Sequence, residues 1–308
     1  MSNVCVAGQG WSALLAARLL GLGVSIGALA PGSDGVRRLW SRLPGTGSVQ
    51  VLDGDGPAAP VKRVLLADDG PVPPWVTAEE DPAVVRLVIG LGDAAAPMPG
   101  DALRWAILSG AGELPVRLTT VDRELRQVSS VAVSSVPVSG LGYAQAAERV
   151  AEAVAGGLES VGDPSGDGRA RHPFAGRFTP AAALDIDWAA PAERIVRLVR
   201  AGIPELAPTR TWVEDVELFP GRARVLDGPA LLPPGTITAG DSAEIVVSAG
   251  DGLVGLSEIR DVIGPIGHDL LPPGRRLGLD QAAELVRLRR RVRDLEEVAR
   301  WLAEDRRP

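Results

Sequence analysis

Gly8-Gln9-Gly10-Trp11-Ser12-Ala13 spaces two glycines and a small residue as Gly-x-Gly-x-x-Ala, between an apolar run and a helical pattern. Backbone N–H groups in such a turn sit at a helix N-terminus and are placed to cradle a phosphate. A dinucleotide site adds an acid at the end of the second strand to hold the ribose. Ala30-Pro31 occupies that place, Asp34 is the nearest acid, and Trp11 is expected to crowd the loop. A second group of interest is Asp68-Asp69-Gly70, ahead of the apolar loop Pro71–Trp75. Two carboxylates there would bind an amine or act as a base, unless they belong to a solvated turn. The histidines are His172, in RARHPFAG, and His268, in GHDLLPPG, and both read as loop residues. The single cysteine, Cys5, allows no internal disulfide and no multi-cysteine metal site. It reads as a small buried apolar residue, and no metal site is expected. Trp40, Trp75 and Trp105 either line a pocket or fill core.

The elements that would position these groups follow from periodicity. Val4–Ala7 reads as a buried strand, the next residues through Leu20 as a helix, Val24–Ala30 as a strand and Val36–Arg42 as a helix. Val49–Leu52, Arg63–Ala67 and Val84–Leu91 continue the β-α alternation, which points to a parallel sheet with covered faces. Pro115–Thr120 and Val131–Val138 are strands, and Tyr143–Ala155 is a helix with alanines and valines at helical spacing. Glu159–Arg171, rich in Gly, Asp, Ser and Arg, reads as a linker. Pro191–Arg200 is a helix with proline near its first turn. Short β runs at Trp212–Phe219, Arg222–Leu226, Thr236–Ala239, Glu244–Val247 and Val254–Ile259 suggest a small barrel. A last helix spans about Leu279 to Ala303. Its Leu285, Leu288, Val292, Leu295, Ala299 and Leu302 form a stripe that fits either a coiled-coil seam or packing on the barrel.

Two ordered blocks carry a family resemblance. In Leu103–Gly156, Trp105–Gly110 supplies an Ala-Ile-Leu-x-Gly turn, Pro115–Thr120 a strand, and Asp122-Arg123-Glu124-Leu125 an Asp-x-x-Leu. In Asp185–Asp261, Ile186-Asp187-Trp188 opens the block and a Pro-Ala helix follows. Arg224–Gly228 reads Arg-Val-Leu-Asp-Gly, Pro234–Ile237 reads Pro-Gly-Thr-Ile, and Gly250–Leu253 reads Gly-Asp-Gly-Leu. Pro273–Gly278 reads Pro-Gly-x-x-Leu-Gly. The chain resembles the folate-dependent formyltransferases, the methionyl-tRNA and amino-sugar enzymes. The resemblance implies a Rossmann-like α/β domain over 1–160, a linker over 161–184, an OB-like barrel over 185–274, and a terminal helix over 275–308.

It also implies a chemistry: an amine attacks the formyl group of 10-formyltetrahydrofolate, and an Asn-x-His pair and an Asp stabilise the oxyanion and move the proton. Counted back from Trp105, Val88 falls at the Asn and Gly90 at the His, while Arg126 stands at the Asp. The loop that follows the pair in the family is replaced by Leu91–Pro97, including Asp93. Losing one oxyanion donor costs about 10²–10³ in rate, and losing acid–base help a further factor of roughly 10²–10⁴. Formyl transfer by the family route is therefore not expected, and folate binding is in doubt. Leu66–Trp75 matches loosely the segment that walls the pterin pocket. The candidate pocket gathers Gly8, Gly10, Asp68, Asp69, Gly70, Asp93, Trp105, Asp122 and Arg126.

A net charge of −7, with Lys62 the only lysine, argues against a nucleic-acid partner, tRNA included. No apolar run approaches the roughly 20 residues of a membrane span. No basic segment precedes the first apolar run, so no signal peptide is expected and the cytoplasm is the expected compartment. Three functions remain open: a homologue without formyl transfer that binds or scaffolds a partner, a transferase rebuilt around other residues for one-carbon or acyl transfer to an amine, and a nucleotide-dependent Rossmann enzyme. Its partner would be a small molecule, a protein, or a second copy held through Leu285–Leu302.

Overall fold

The computed structural model describes residues 4–8, 10–31, 34–43, 49–52, 61, 63–67, 76, 83–89, 99–121, 127–159, 184–203, 208–214, 216–240, 243–267, 270–278 and 289–297. The chain forms two compact units, one of Met1–Leu184 with Arg197–Thr209, the other of Asp185–Val196 with Arg210–Pro308.

The first unit carries β1 (Val4–Gly8), α1 (Gly10–Gly21), β2 (Ile26–Pro31), α2 (Asp34–Trp40), β3 (Gln50–Val51) and β4 (Arg63–Leu66). It continues with β5 (Ala83–Ile89), α3 (Pro99–Ser109), β6 (Glu113–Val121), β7 (Gln127–Pro137) and α4 (Tyr143–Glu159). The strands form one sheet in the order β3-β2-β1-β4-β5-β6-β7. β1 to β5 run parallel, as their unbroken apolar sequences suggest. The sheet is parallel through β5, and β6 and β7 add an antiparallel pair beside it. β6 ends at Val121 and β7 begins at Gln127, and so short a separation in the chain suits antiparallel neighbours.

The strands alternate their side chains between two cores. Val4, Val6, Leu29, Leu65, Val85 and Leu87 face one cluster with residues of all four helices. Cys5, Ala7, Ala28, Val64, Leu66 and Val84 face the other. α4 buries Tyr143, Ala146, Ala147, Val150, Ala151, Val154 and Leu158, one stripe at helical spacing. Its exposed face carries Arg149 and Glu152, paired at 3.0 Å.

Helix α5 (Ala192–Ala201) begins within the second unit's residues and ends within the first's. The second unit then forms β8 (Thr211–Val213), β9 (Val216–Leu226), β10 (Ile237–Gly240), β11 (Ile245–Ser248) and β12 (Leu253–Arg260). They pair antiparallel in the order β10-β11-β12-β9-β8. Arg276 bridges Thr236 and Leu277 bridges Val213, so this short segment joins the two edges and closes the curled sheet. Two strand assignments change. The run Trp212–Phe219 is split by a tight turn at Glu214, whose φ is 53°, so β8 folds back on β9. The run Arg222–Leu226 is the end of β9, which continues through Pro220 and Gly221. Residues 289–297 form a further helix, α6. Among the described residues no helix is long and apolar enough to cross a membrane.

Candidate functional site

In an open α/β sheet, ligands gather at the carboxyl ends of the parallel strands. Here β1 ends at Gly8, whose φ of 142° suits glycine, and its register partner is Pro31 at the end of β2. Gly10 opens α1, and the Ser12 hydroxyl donates to the Gly8 carbonyl at 3.0 Å, fastening the turn to the first helical residues. β2 closes with Ala30-Pro31, and Asp34 lies beyond it as the first residue of α2. Trp11 does not crowd this turn. It is only 8% exposed and belongs to the helix-side core.

Trp11 meets a buried polar cluster that periodicity did not reveal. Arg104 of α3 is 4% exposed, and its guanidinium carbon lies 5.9 Å from the ring centre of Tyr143, the first residue of α4. Burial pushes the Tyr143 hydroxyl well above its ordinary pKa, with Arg104 as the largest opposing influence. Burial likewise lowers the Arg104 pKa, opposed by Tyr143 and then Asp101. The Trp11 indole N–H lies beside the Tyr143 hydroxyl without reaching hydrogen-bond geometry. One sequence signal could have found Arg104. It precedes the buried Ile107 and the half-buried Leu108 by three and four residues, at helical spacing on α3.

The Ala-Ile-Leu-x-Gly segment is not a turn up to its glycine. Trp105 to Ser109 are helical, the last residues of α3. Gly110, at φ 71°, donates to Ile107 O at 3.1 Å, and Ala111 to Ala106 O at 2.9 Å, a paired helix ending that favours glycine. Trp105 is half-buried in that last part of α3, and Trp40 is 3% exposed in the core, not on a pocket wall. Val88 lies in β5, opposite Arg117 of β6, one residue from the strand's end. Gly90, Asp68, Asp69, Gly70, Trp75, Asp93, Asp122, Arg126, His172 and His268 lie outside the described residues. Gly8 ends β1, Gly10 opens α1 and Val88 lies one residue before the end of β5, while the acidic members of the candidate pocket have no described position.

A cavity of about 380 Å³ opens elsewhere, between β7 and α4. Ser134, Ser135, Ser139, Arg149 and Glu152 line it, and no residue of the candidate pocket does. Cys5 is fully buried, and burial raises its thiol pKa to about 12, so it is no nucleophile at neutral pH.

The family motifs of the second unit have structural work. Trp188 is buried, donates from its indole N–H to Thr211 Oγ1 at 2.9 Å, and packs on Gly235 and Gly278. Asp251, in the Gly-Asp-Gly-Leu turn, accepts from the Ala192 N–H at 2.7 Å and so caps α5. A β-carbon on Gly250 would strike the Ala189 carbonyl, so glycine lets the turn approach the residues that lead into α5. Asp185 holds Arg210, whose Nε donates at 2.9 Å, and Glu217 lies 3.4 Å from the same guanidinium. The closing segment donates from Gly274 to Ile237 O and from Leu277 to Gly235 O, and the Pro-Gly-x-x-Leu-Gly ending is thus part of the barrel.

The chain combines a seven-stranded, mostly parallel α/β sheet in one unit with a curled antiparallel sheet in the other. Residues 181–263 match the formyl transferase C-terminal domain. That stretch of the chain is similar to the formyltransferase C-terminal domain. A methionyl-tRNA formyltransferase from Chromobacterium violaceum is 32% identical over a stretch covering 32% of this chain and 33% of that protein. Structures of HypX from Aquifex aeolicus superpose at TM-scores of 0.54 and 0.56, with 17% and 16% identity, over 85% of this chain and 44% of theirs. The chain thus matches about a third of its curated relative and under half of HypX. HypX shares the fold.

Proposed function

We propose that this protein is a formyltransferase homologue that does not transfer formyl groups and acts as a binding or scaffold protein. The observation that carries the reading is the end of β5. The chain there reads Leu87-Val88-Ile89-Gly90-Leu91-Gly92, without a polar side chain to serve as oxyanion donor or base. β5 lies parallel to β4, so its end belongs to the edge where α/β sheets hold ligands. Arg126, between β6 and β7 in the chain, stands in place of the family's acid. A guanidinium cannot accept a proton there. The folate family of the fold sets the ligand to test, and HypX has been solved with tetrahydrofolic acid.

The deciding experiment pairs two measurements on the purified chain. Calorimetric titration with 5-formyltetrahydrofolate reads the cleft, and a discontinuous assay reads formyl transfer from 10-formyltetrahydrofolate to a panel of amines that includes methionyl-tRNA and amino sugars. Formylated product at a rate that scales with protein would overturn the proposal. No product, with or without folate binding, is the expected result, and pull-down then identifies the bound partner.

A further inference from the structure

β7 is the last strand on its side of the sheet, and among the described residues no strand pairs with its outer edge. The Val138 N–H donates to Gly112 O at 3.0 Å, so the main chain of Val138 points inward, toward the β6 side. That direction alternates along a strand. Val136, Ser134 and Ala132 therefore bond to β6, while the peptide groups of Val133, Ser135 and Pro137 point to the open edge. Pro137 suits its outward place, where no ladder bond is asked of its nitrogen. The edge thus offers the N–H groups of Val133 and Ser135 as donors and the carbonyls of Val133, Ser135 and Pro137 as acceptors. The register with β6 slips between Leu118 and Thr119 and between Thr120 and Val121, and is regular from Ala132 to Pro137. No charged residue occurs from Gln127 to Pro137. Bulges and charges keep a strand edge from pairing, and the second half of β7 has neither.

The cavity of about 380 Å³ between β7 and α4 opens along this same half of the strand. Val136, Leu141 and Ala153 give it an apolar lining, and Ser134 adds a hydroxyl group. Its charged residues, Arg149 and Glu152, pair with each other at 3.0 Å, so the lining offers no net charge to draw an ionic metabolite. An open strand edge beside a groove is instead the setting in which an extended peptide adds as a strand. Main-chain bonds then supply affinity, and pockets for alternate side chains supply specificity. Length also selects the occupant. The regular stretch Ala132–Pro137 covers only about 20 Å of strand. A stable dimer buries roughly 800 Å² on each partner, far more than one strand edge of that length, whereas a short extended segment matches it.

We propose that the groove between β7 and α4 binds an extended peptide segment of a partner protein, which adds as a strand along Val133–Pro137 and sets a small apolar side chain in the cavity. β6 separates β7 from β5, so binding here is read separately from formyl transfer. The probe is an uncharged Thr-Val-Thr-Val-Thr-Val peptide, capped at both ends and titrated into the full chain by calorimetry. Wild type is expected to bind it, with hydrogen exchange slowed at the Val133 and Ser135 amides. Two analogues, N-methylated at alternate residues in opposite phase, separate main-chain pairing from apolar contact. The phase that blocks the paired edge is expected to lose binding, and the other to keep it. Ser135→Pro removes one outward N–H, and Ala153→Leu fills the cavity. Each is expected to weaken binding by about tenfold or more, while circular dichroism shows the variant folded. No binding at millimolar peptide overturns the proposal, as does equal binding of the two analogues. So does a wild-type chain that doubles its mass in light scattering and loses the doubling with Ser135→Pro, because a second copy then covers the edge.

Discussion

Asp251 accepts a hydrogen bond at 2.7 Å from the backbone N–H of Ala192, 59 residues earlier in the chain. A tight turn between β11 and β12 thereby supplies the cap that the start of α5 does not supply for itself, since Pro191 and Ala192 carry no side-chain acceptor. Asp251→Ala is expected to destabilise the barrel unit by about 0.5–2 kcal/mol, the usual range for a lost N-cap. Asp251→Asn keeps an acceptor and should lose less. Urea titration followed by tryptophan fluorescence reads both, and equal losses would contradict the capping role.

Trp188 binds the start of the barrel unit to its end. Replacing it by Phe keeps an aromatic ring over Gly235 and Gly278 but strands the Thr211 hydroxyl, which is 1% exposed. The expected cost is about 1–3 kcal/mol for an unsatisfied buried group. The double change with Thr211→Val should recover part of it, because both polar partners are then gone.

Glu244 reaches Arg224 across the intervening strand, with contacts of 2.8 and 2.6 Å, because Gly255 has no β-carbon where the Glu244 carboxylate lies. Gly255→Ala would push the carboxylate aside and undo the pair. Arg224 is exposed, so the pair is screened by water and salt. The melting temperature is therefore expected to change little, and added salt should change wild type and variant alike. A large salt-dependent loss would show that the pair matters more than its exposure allows.

Cys5 is buried with its thiol pKa raised from 9.0 to about 12. The folded chain holds the proton where the unfolded chain releases it, so the contribution is complete below pH 9 and is lost as pH rises through 12. The expected slope is at most about 1.4 kcal/mol per pH unit within that window. Tyr143, also raised by burial, adds to the loss above pH 10. Cys5→Ala should flatten the slope below pH 10. An aromatic disulfide reagent should leave the native thiol unmodified and react at once after unfolding.

Much of the fold was legible because its signals are local. Tyr143–Ala155, Pro191–Arg200 and the runs that became β10, β11 and β12 show their period within a few residues, and each appears within a residue or a few of its expected ends. The divided run at Trp212–Phe219 was not legible, since a positive φ at Glu214 leaves no mark on an otherwise β-like stretch. Nor was the antiparallel direction of β6 and β7, because apolar strands look alike whichever way they run. The candidate site was read through chain order alone, and only Gly8, Gly10, Trp105 and Val88 of its residues fall among those the structure describes.

The sequence by itself determined the resemblance of residues 181–263 to a formyltransferase domain and the apolar run Leu87–Leu91 at the end of β5, since each depends only on which residues occur and in what order. Tertiary structure alone decided that Trp11 turns inward beside Tyr143 and Arg104, and that Asp251 caps a helix 59 residues away. Those contacts join residues distant in the chain, and the energy of burying or pairing them exists only once the elements have packed.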